Sequence, residues 1–269
     1  MNEAELLFSR TLGLSRTGLY LNSNLKLDRI RSREISMVLK RRIMGEPLAY
    51  ILGETNFMGL DFKVGPGVLI PRQETEILVE EALRIACGFK NRFSRILDLG
   101  TGSGCIAIAL AKNLLSCKID ALDICEEALK IAKYNAAKHQ VGVNFIRSDL
   151  FENIRSGSGR YDLIVSNPPY VTSSEISGLE REVRQEPRLA LDAGSDGLNF
   201  YRRIAGRVSG YLKEKGYLIL ELGFGQGKAV TDIFKACGDS SVIKIIPDYR
   251  GIERVIIIQR KASNGQAGS

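Results

Sequence analysis

"RILDLGTGSGCIAIALA", residues 95–111, predicts a buried strand followed by a glycine-rich turn and a buried helix. Gly100, Gly102 and Gly104 lie at the junction, where glycine lets a small ligand approach the backbone closely. The run also fits the pattern G-x-G-x-x-A, so a nicotinamide dehydrogenase is one hypothesis. Because glycine-rich turns are weakly specific, the rest of the chain must identify the ligand.

Segments typical of strands and helices alternate after this stretch and indicate a repeated βαβ organisation. They are "KIDALDI", "EEALKIAKYNAAKHQ", "VNFIRSDL" and "YDLIVSN". Farther on, a helix is predicted at "GLNFYRRIAGRVSGYL", a strand at "GYLILELG" and a helix at "KAVTDIFKAC". The last two strands, near "VIKIIPD" and "RVIIIQR", have a short connection and are therefore predicted to be antiparallel.

The regions on either side of the main sheet have different patterns. Apolar residues up to residue 52 recur at helical spacings, which predicts a small helical N-terminal domain over 1–52. Residues 53–73 alternate on both sides of Gly65-Pro66-Gly67, so we expect a β-hairpin linker whose turn lies there. The main domain is predicted over 74–261, and the tail at 262–269 is predicted to be disordered because it lacks apolar periodicity.

Composition restricts the class of protein. The chain has 269 residues, of which 44% are apolar, enough for a sizeable core. No apolar run approaches the roughly 20 residues that span a bilayer, and the N-terminus lacks the order of a signal peptide, so a cytoplasmic location is expected. The net charge of +7 would assist approach to RNA or an acidic partner, but it is spread along the chain. The five cysteines form no C-x-x-C pair, so neither disulfides nor a metal site is predicted.

Aspartates lie at or near the ends of three predicted strands, and the first of them, Asp98, favours a methyltransferase over a dehydrogenase. Asp98 precedes the first glycine by two residues and could reach a cofactor ammonium group, which a dinucleotide pyrophosphate does not supply. Asp123 follows the next strand and is placed to accept hydrogen bonds from ribose hydroxyls, as dehydrogenases also do. Asp149 could accept from the exocyclic amine of adenine, but it could equally cap a helix.

The stretch "SNPPYV", residues 166–171, ends the fourth strand at the same edge of the sheet. Pro168 and Pro169 have no backbone N–H, so the strand must stop while its carbonyls remain free to accept. Asn167 adds a side-chain acceptor and donor, and Tyr170 adds a flat ring face. Such a corner suits a planar amine or amide, although an ordinary Pro-Pro loop is the alternative.

With D-x-G-x-G-x-G and N-P-P-Y both present, the chain resembles the class I S-adenosylmethionine-dependent methyltransferases that act on planar nitrogens. Further blocks resemble the HemK (PrmC) family, the protein-(glutamine-N5) methyltransferases of class I peptide-chain release factors: "GEPLAYILGETNFMGLDFKV", "LIPRQETE", "EPRLALDAGSDGLNFYRRI" and "YRGIERVIII". The resemblance covers most of residues 45–260. It implies an α/β, Rossmann-like fold, with a mostly parallel seven-stranded sheet, an antiparallel last strand and a small N-terminal helical domain for substrate recognition.

The resemblance also implies the site, with S-adenosyl-L-methionine as cofactor and the glutamine of a Gly-Gly-Gln tripeptide as acceptor. The cofactor-binding residues would be Asp98, Gly100, Thr101, Gly102, Ser103, Gly104, Asp123, Asp149, Leu150 and Asn167. The catalytic residues would be Asn167, Pro168 and Tyr170, and the acceptor would also contact Pro169, Phe57 and Arg72. Leu150 replaces an aromatic found in some relatives, and Phe151 is a possible substitute.

The expected partner is a class I release factor, with ribosome association only through that factor, no direct nucleic-acid substrate and a monomeric enzyme. Two alternatives remain open. N-P-P-Y also occurs in enzymes that methylate amines of nucleic-acid bases, which would require an unstacked base in the same corner. A non-catalytic RNA- or ribosome-binding module is the other alternative.

Overall fold

The structure is a computed structural model that describes residues 2–22, 24, 26–88, 93–154 and 161–262. Of the tail predicted to be disordered, residues 263–269 lie outside the described residues. Among the described residues, no helix has the length and apolar composition needed to cross a membrane.

The N-terminal region is helical, as predicted. Its helices are α1 (Glu3–Leu12), α2 (Arg16–Leu21), α3 (Arg29–Ile43) and α4 (Leu48–Leu52). Asn2, Ser15 and Asp28 begin the first three, because each side chain accepts a hydrogen bond from a backbone N–H three residues on. Few of these helical side chains are buried, which leaves much of the surface of the region available to solvent.

A β-hairpin follows, but its turn is not where the sequence predicted it. Strands β1 (Glu54–Phe57) and β2 (Leu60–Lys63) are antiparallel, and the turn between them consists of Met58 and Gly59. Both turn residues have positive φ, 50° and 72°, as a two-residue hairpin turn prefers. The prediction of a turn at Gly65-Pro66-Gly67 was therefore wrong. That segment follows β2, and Pro66 and Gly67 line the cavity described below.

The main domain alternates strands and helices around one sheet. Its elements are α5 (Glu74–Gly88), β3 (Arg95–Leu99), α6 (Cys105–Asn113), β4 (Lys118–Asp123), α7 (Glu126–Lys138), β5 (Asn144–Arg147), β6 (Tyr161–Ser166), α8 (Asn199–Ala205), β7 (Leu212–Glu221), α9 (Gly227–Ala236), β8 (Ser240–Pro247) and β9 (Glu253–Arg260). The long helix predicted at "GLNFYRRIAGRVSGYL" is shorter than expected, since α8 ends before Gly206 and a single 3₁₀ turn follows.

The sheet has seven strands in the order β5-β4-β3-β6-β7-β9-β8. Neighbours from β5 to β7 are parallel, whereas β9 is antiparallel to both β7 and β8. This is the predicted Rossmann-like arrangement with an antiparallel last strand. The order reverses at β3, where open α/β sheets leave a crevice beyond the carboxyl ends of their strands.

Both faces of the sheet are covered. Ile96 in β3 packs in one apolar cluster with Leu78 of α5, while its neighbour Leu97 packs in a second cluster with Tyr201 of α8. Successive strand residues thus face opposite layers, as the alternation of a pleated strand requires. Because both faces are apolar and buried, the strand ends are where the sheet can present polar groups to a ligand.

Candidate active site

A cavity of about 370 Å³ lies beyond the carboxyl ends of β3, β4, β5 and β6. Its lining includes Gly100 after β3, Asp123 at the end of β4, Asp149 after β5 and Asn167 after β6. The four predicted strand ends therefore face one cavity. Its volume is in the range of small-molecule binding sites.

The glycine loop contributes open space to this cavity. Gly100 and Gly102 have φ values of 72° and 55°, and a Cβ built on either one would meet no protein atom within 4 Å. Gly104 differs, because a Cβ there would lie 3.0 Å from Ile108 Cδ1 and 3.1 Å from Ala132 Cβ. The first two glycines thus leave room for a ligand, and the third allows α6 to pack against α7.

Thr101, Ser103 and Asp98 do not line the cavity. The hydroxyl of Thr101 donates to Asp98 Oδ2 at 2.6 Å, and the carbonyl of Ser103 accepts from Asn135 Nδ2 at 2.9 Å. Asp98 is fully buried, and this burial raises its pKa to about 7. Asp98 Oδ1 has no hydrogen-bond partner within the described residues, and the contact of Asp98 with a cofactor ammonium group stays a prediction. Asp98 lies beneath the loop and holds it through Thr101.

Asp123 joins the glycine loop to the end of β4. Its two carboxylate oxygens accept from the backbone N–H of Gly102 at 2.8 Å and of Cys125 at 2.9 Å. Burial raises the pKa of this carboxyl, although the backbone donors oppose the shift. Each carboxylate oxygen has a further lone pair, so Asp123 can hold the loop and still accept from a ligand hydroxyl.

Asp149 is paired with an arginine that no sequence motif indicated. Its Oδ2 accepts from Arg203 Nη2 at 2.7 Å, and both residues line the cavity. No helix begins at Asp149 in the part of the chain described up to residue 154, so the structure gives no support to a capping role. The neighbouring Arg202 pairs with Asp196 at the surface, and nothing in the sequence distinguished the two arginines.

The apolar wall of the cavity differs in part from the prediction. Leu150 lines it and has a left-handed backbone with φ of 48°. Phe151, the suggested substitute for an aromatic, is fully buried and stacked on Tyr211 with ring centroids 4.4 Å apart. The aromatic ring that does line the cavity belongs to Phe200, over which the Arg203 guanidinium lies 5.5 Å from the centroid.

The N-P-P-Y corner presents acceptors to the cavity. Asn167, Pro168 and Pro169 line it, and within the described residues neither Asn167 Oδ1 nor the Pro168 carbonyl has a protein donor. Asn167 Nδ2 instead donates to Thr75 Oγ1 at 3.1 Å. The Tyr170 ring does not line the cavity, and burial raises its pKa to about 12.

Phe57 and Arg72 do not line the cavity and pack against other parts of the protein. Phe57 is 1% exposed and packs edge-on against Phe62, so the structure does not bring it to the cavity, and its contact with the acceptor stays a prediction. Arg72 Nη2 donates to Glu186 Oε1 at 2.5 Å, and Glu186 Oε2 accepts from the Ile70 backbone at 3.1 Å. These bonds hold the segment after the hairpin against the loop whose next residue, Pro187, lines the cavity.

The chain is similar in sequence and in fold to known methyltransferases. Residues 75–192 match the methyltransferase small domain family, and residues 1–53 match the PrmC N-terminal domain family. A release factor glutamine methyltransferase of Geobacter sulfurreducens is 44% identical over 255 residues, covering 94% of this chain and 87% of that protein. Another, of Thermodesulfovibrio yellowstonii, is 41% identical over 265 residues, covering 98% and 94%. The crystal structure of a methyltransferase from Pyrococcus furiosus aligns with 86% of this chain over 99% of its own chain. The TM-score is 0.55 and the sequence identity is 18%, which shows a shared fold.

Proposed function

The chain belongs to the release factor glutamine methyltransferase family, and from this premise we propose that its strand-end cavity holds S-adenosylmethionine beside the acceptor glutamine. The protein is a protein-(glutamine-N5) methyltransferase of release factors. The observation that carries the proposal is the placement of the glycine loop, Asp123 and Asn167 around one cavity.

The described residues fit the cofactor. Gly100 and Gly102 leave open space at the cavity, and Asp123 faces it with a carboxylate that can accept from ribose hydroxyls. Leu150 and Phe200 supply apolar surface for an adenine ring. When bound, S-adenosylmethionine supplies an electrophilic methyl group on a sulfonium sulfur.

The acceptor nitrogen must be activated, because the lone pair of an amide nitrogen is delocalised into its carbonyl. In our proposal, Asn167 Oδ1 and the Pro168 carbonyl accept the two N–H hydrogens of the glutamine and aim its nitrogen at the methyl group. These bonds strengthen as positive charge develops on nitrogen, so they stabilise the transition state more than the ground state. No strong general base is then required, and the proton can leave after methyl transfer.

Tyr170 was predicted to pack against the amide plane of the acceptor. Its ring does not line the cavity, so that contact would require the ring to move when the acceptor binds. The Tyr170 carbonyl accepts a hydrogen bond from Gln226 Nε2 at 3.0 Å, and this bond fixes the backbone at the end of the N-P-P-Y corner. We propose that Tyr170 supports the corner, and that Pro169 contacts the acceptor directly.

We further propose that residues 1–52 recognise the release factor and that 53–73 link them to the methyltransferase domain at 74–261. Exposed apolar side chains support a protein partner for the helical region, among them Leu21 at 81% and Ile43 at 75% exposure. The Gly-Gly-Gln tripeptide of a class I factor is the proposed acceptor. We also propose that the enzyme is a monomer and acts in the cytoplasm, where its substrate works.

A methyl-transfer assay tests the choice of substrate. Radiolabelled S-adenosylmethionine is offered with purified release factor and, separately, with ribosomal RNA, and the modified residue is located by mass spectrometry. We expect label only in the release factor, on the glutamine of Gly-Gly-Gln. Label in the RNA would favour methylation of a base amine, and failure to bind the cofactor at all would favour the non-catalytic module.

Asp149→Asn should weaken binding of S-adenosylmethionine roughly tenfold, because a neutral amide is a poorer acceptor for the adenine amine and no longer pairs with Arg203 as an ion. Calorimetric titration measures the affinity. The loss should be larger for adenosine than for inosine, which lacks the exocyclic amine.

Asp196→Asn is the matched control, because Asp196 forms a similar ion pair with Arg202 away from the cavity. Its affinity for the cofactor should be unchanged. Equal losses for adenosine and inosine in Asp149→Asn would contradict the adenine contact.

A further inference from the structure

A buried pair of polar side chains lies behind the amide of Asn167. Thr75 in α5 and Glu221 at the end of β7 are each 2% exposed. Thr75 Oγ1 donates to Glu221 Oε2 at 2.6 Å and accepts from Asn167 Nδ2 at 3.1 Å. Three elements that are distant in sequence thus form a short chain of hydrogen bonds that ends at the cavity.

The chemistry of these groups fixes the direction of each bond. An ionised carboxylate only accepts hydrogen bonds, so the single hydroxyl hydrogen of Thr75 must point to Glu221. The Thr75 oxygen can then only accept, and it is therefore the NH₂ end of the Asn167 amide that faces Thr75. This orientation leaves Asn167 Oδ1 facing the cavity, where an acceptor of hydrogen bonds is needed.

The opposite orientation of the amide would be unproductive. A half-turn of the Asn167 amide would direct its NH₂ group toward the N–H groups of the glutamine, placing donors against donors. The shape of an asparagine side chain barely distinguishes the two orientations, so the distinction must come from its hydrogen-bond partners.

We propose that Thr75 and Glu221 are positioning residues, which hold the Asn167 amide with its oxygen toward the acceptor nitrogen. This inference rests on the proposed role of Asn167. It assigns no contact with substrate to Thr75 or Glu221, which act only through Asn167.

The charge on Glu221 contributes to the orientation of the Asn167 amide. Burial raises its pKa to about 7, opposed by the hydrogen bond from Thr75. The other charged and titratable groups that face it are Arg254, Glu74, Arg72, Tyr170, Tyr201 and Cys105. Below pH 7 the protonated carboxyl can donate to Thr75, whose hydroxyl hydrogen then becomes free to point to Asn167 Oδ1. Protonation therefore removes the preference for the productive orientation, and turnover should fall as the pH drops through this value.

Thr75→Val tests the proposal because valine keeps the shape of threonine but has no hydroxyl. We expect kcat to fall roughly tenfold, as for the loss of one buried hydrogen bond, with the affinity for S-adenosylmethionine unchanged. Thr75→Ser retains the hydroxyl and should recover most of the rate. A purely structural role would instead lower the thermal stability of both variants without this difference in kcat.

The combination with Asn167→Ala separates this inference from the proposed function. If Thr75 acts through Asn167, adding Thr75→Val to Asn167→Ala should cause no further loss of kcat. An unaffected Asn167→Ala would overturn the proposed role of Asn167 itself. A slow Asn167→Ala together with a fully active, folded Thr75→Val would overturn only the positioning role.

Two further measurements do not depend on the turnover of Thr75→Val. In the wild type, the side-chain NH₂ of Asn167 should exchange its hydrogens slowly in nuclear magnetic resonance spectra, and Thr75→Val should accelerate the exchange. Glu221→Gln cannot ionise, so the decline of its rate below pH 7 should be smaller than in the wild type, where Glu221 and Asp98 both titrate in this range. Unchanged hydrogen exchange in Thr75→Val, or an undiminished decline in Glu221→Gln, would contradict the proposal.

Discussion

Asn167→Ala should lower the rate of methyl transfer by roughly a hundredfold, the size of effect seen when one hydrogen-bond partner of a transition state is removed. Asn167 Oδ1 faces the cavity, and alanine offers no acceptor in its place. The affinity for S-adenosylmethionine should change much less, because the glycine loop and Asp123 remain intact. Without the amide, the glutamine nitrogen keeps its lone pair delocalised and is less well aligned with the methyl group.

Single-turnover kinetics with saturating cofactor and release factor measure this effect, and calorimetry measures the cofactor affinity. Asn113→Ala is a suitable control, since the Asn113 amide donates to the Ala109 carbonyl of its own helix and Asn113 does not line the cavity. The control should keep the wild-type rate. An unchanged single-turnover rate in Asn167→Ala would remove Asn167 from the mechanism.

Gly102→Leu should weaken S-adenosylmethionine binding by roughly a hundredfold or more, which corresponds to about 3 kcal/mol. A Cβ on Gly102 would meet no protein atom within 4 Å, so the leucine side chain can enter the open space of the cavity and occupy it. The left-handed backbone of Gly102, with φ of 55°, adds about 1 kcal/mol of strain to the folded state. That strain lowers stability but does not by itself exclude the cofactor.

Gly238→Leu separates the two effects. Gly238 also has positive φ, 76°, and open space around a built Cβ, but it follows α9 and does not line the cavity. Thermal unfolding should show a similar loss of stability in both variants, whereas calorimetry should show weakened binding only for Gly102→Leu. Normal cofactor affinity in Gly102→Leu would show that the glycine loop is not the cofactor site.

Much of the fold could be predicted because local pattern and global arrangement agree. The runs in β3, β4, β6 and the second half of β7 are largely apolar, and a glycine, proline or aspartate lies at or just beyond the end of each, which limits where each strand can end; the charged first half of β7 was not predicted. Parallel connection then brings those ends to one edge, so Asp123, Asp149 and Asn167 could be assigned to one site before their positions were known.

The pair behind Asn167 could not be predicted in the same way. Thr75 and Glu221 are 146 positions apart, and only the neighbouring positions of α5 and β7 bring them together. One signal was present, because Glu221 interrupts the apolar run "LILEL" and a charged residue in a buried strand requires a partner. The sequence did not indicate which residue that partner would be.

Three other features that the sequence did not predict have local causes. Phe57 lies in a block that resembles the family near its acceptor site, but alternation along β1 turns its ring into the core. Asp98 precedes the loop closely enough to reach a ligand, yet the Thr101 hydroxyl holds it beneath the loop. The hairpin turn formed at Met58-Gly59, because two consecutive residues with positive φ close the tighter turn.

The position of β9 has a consequence for how the enzyme is made. Residues Glu253–Arg260 lie between β7 and β8, so a strand that is synthesised after both of its neighbours enters the interior of the sheet rather than its edge. Before β9 emerges from the ribosome, β7 and β8 lack the strand that pairs with both of them, and the seven-stranded sheet cannot be completed. A nascent chain that stalls before residue 253 therefore cannot fold into an active enzyme. The methyltransferase is thus made only by ribosomes that translate far into its message. Its substrate, the release factor, acts at the step that ends translation.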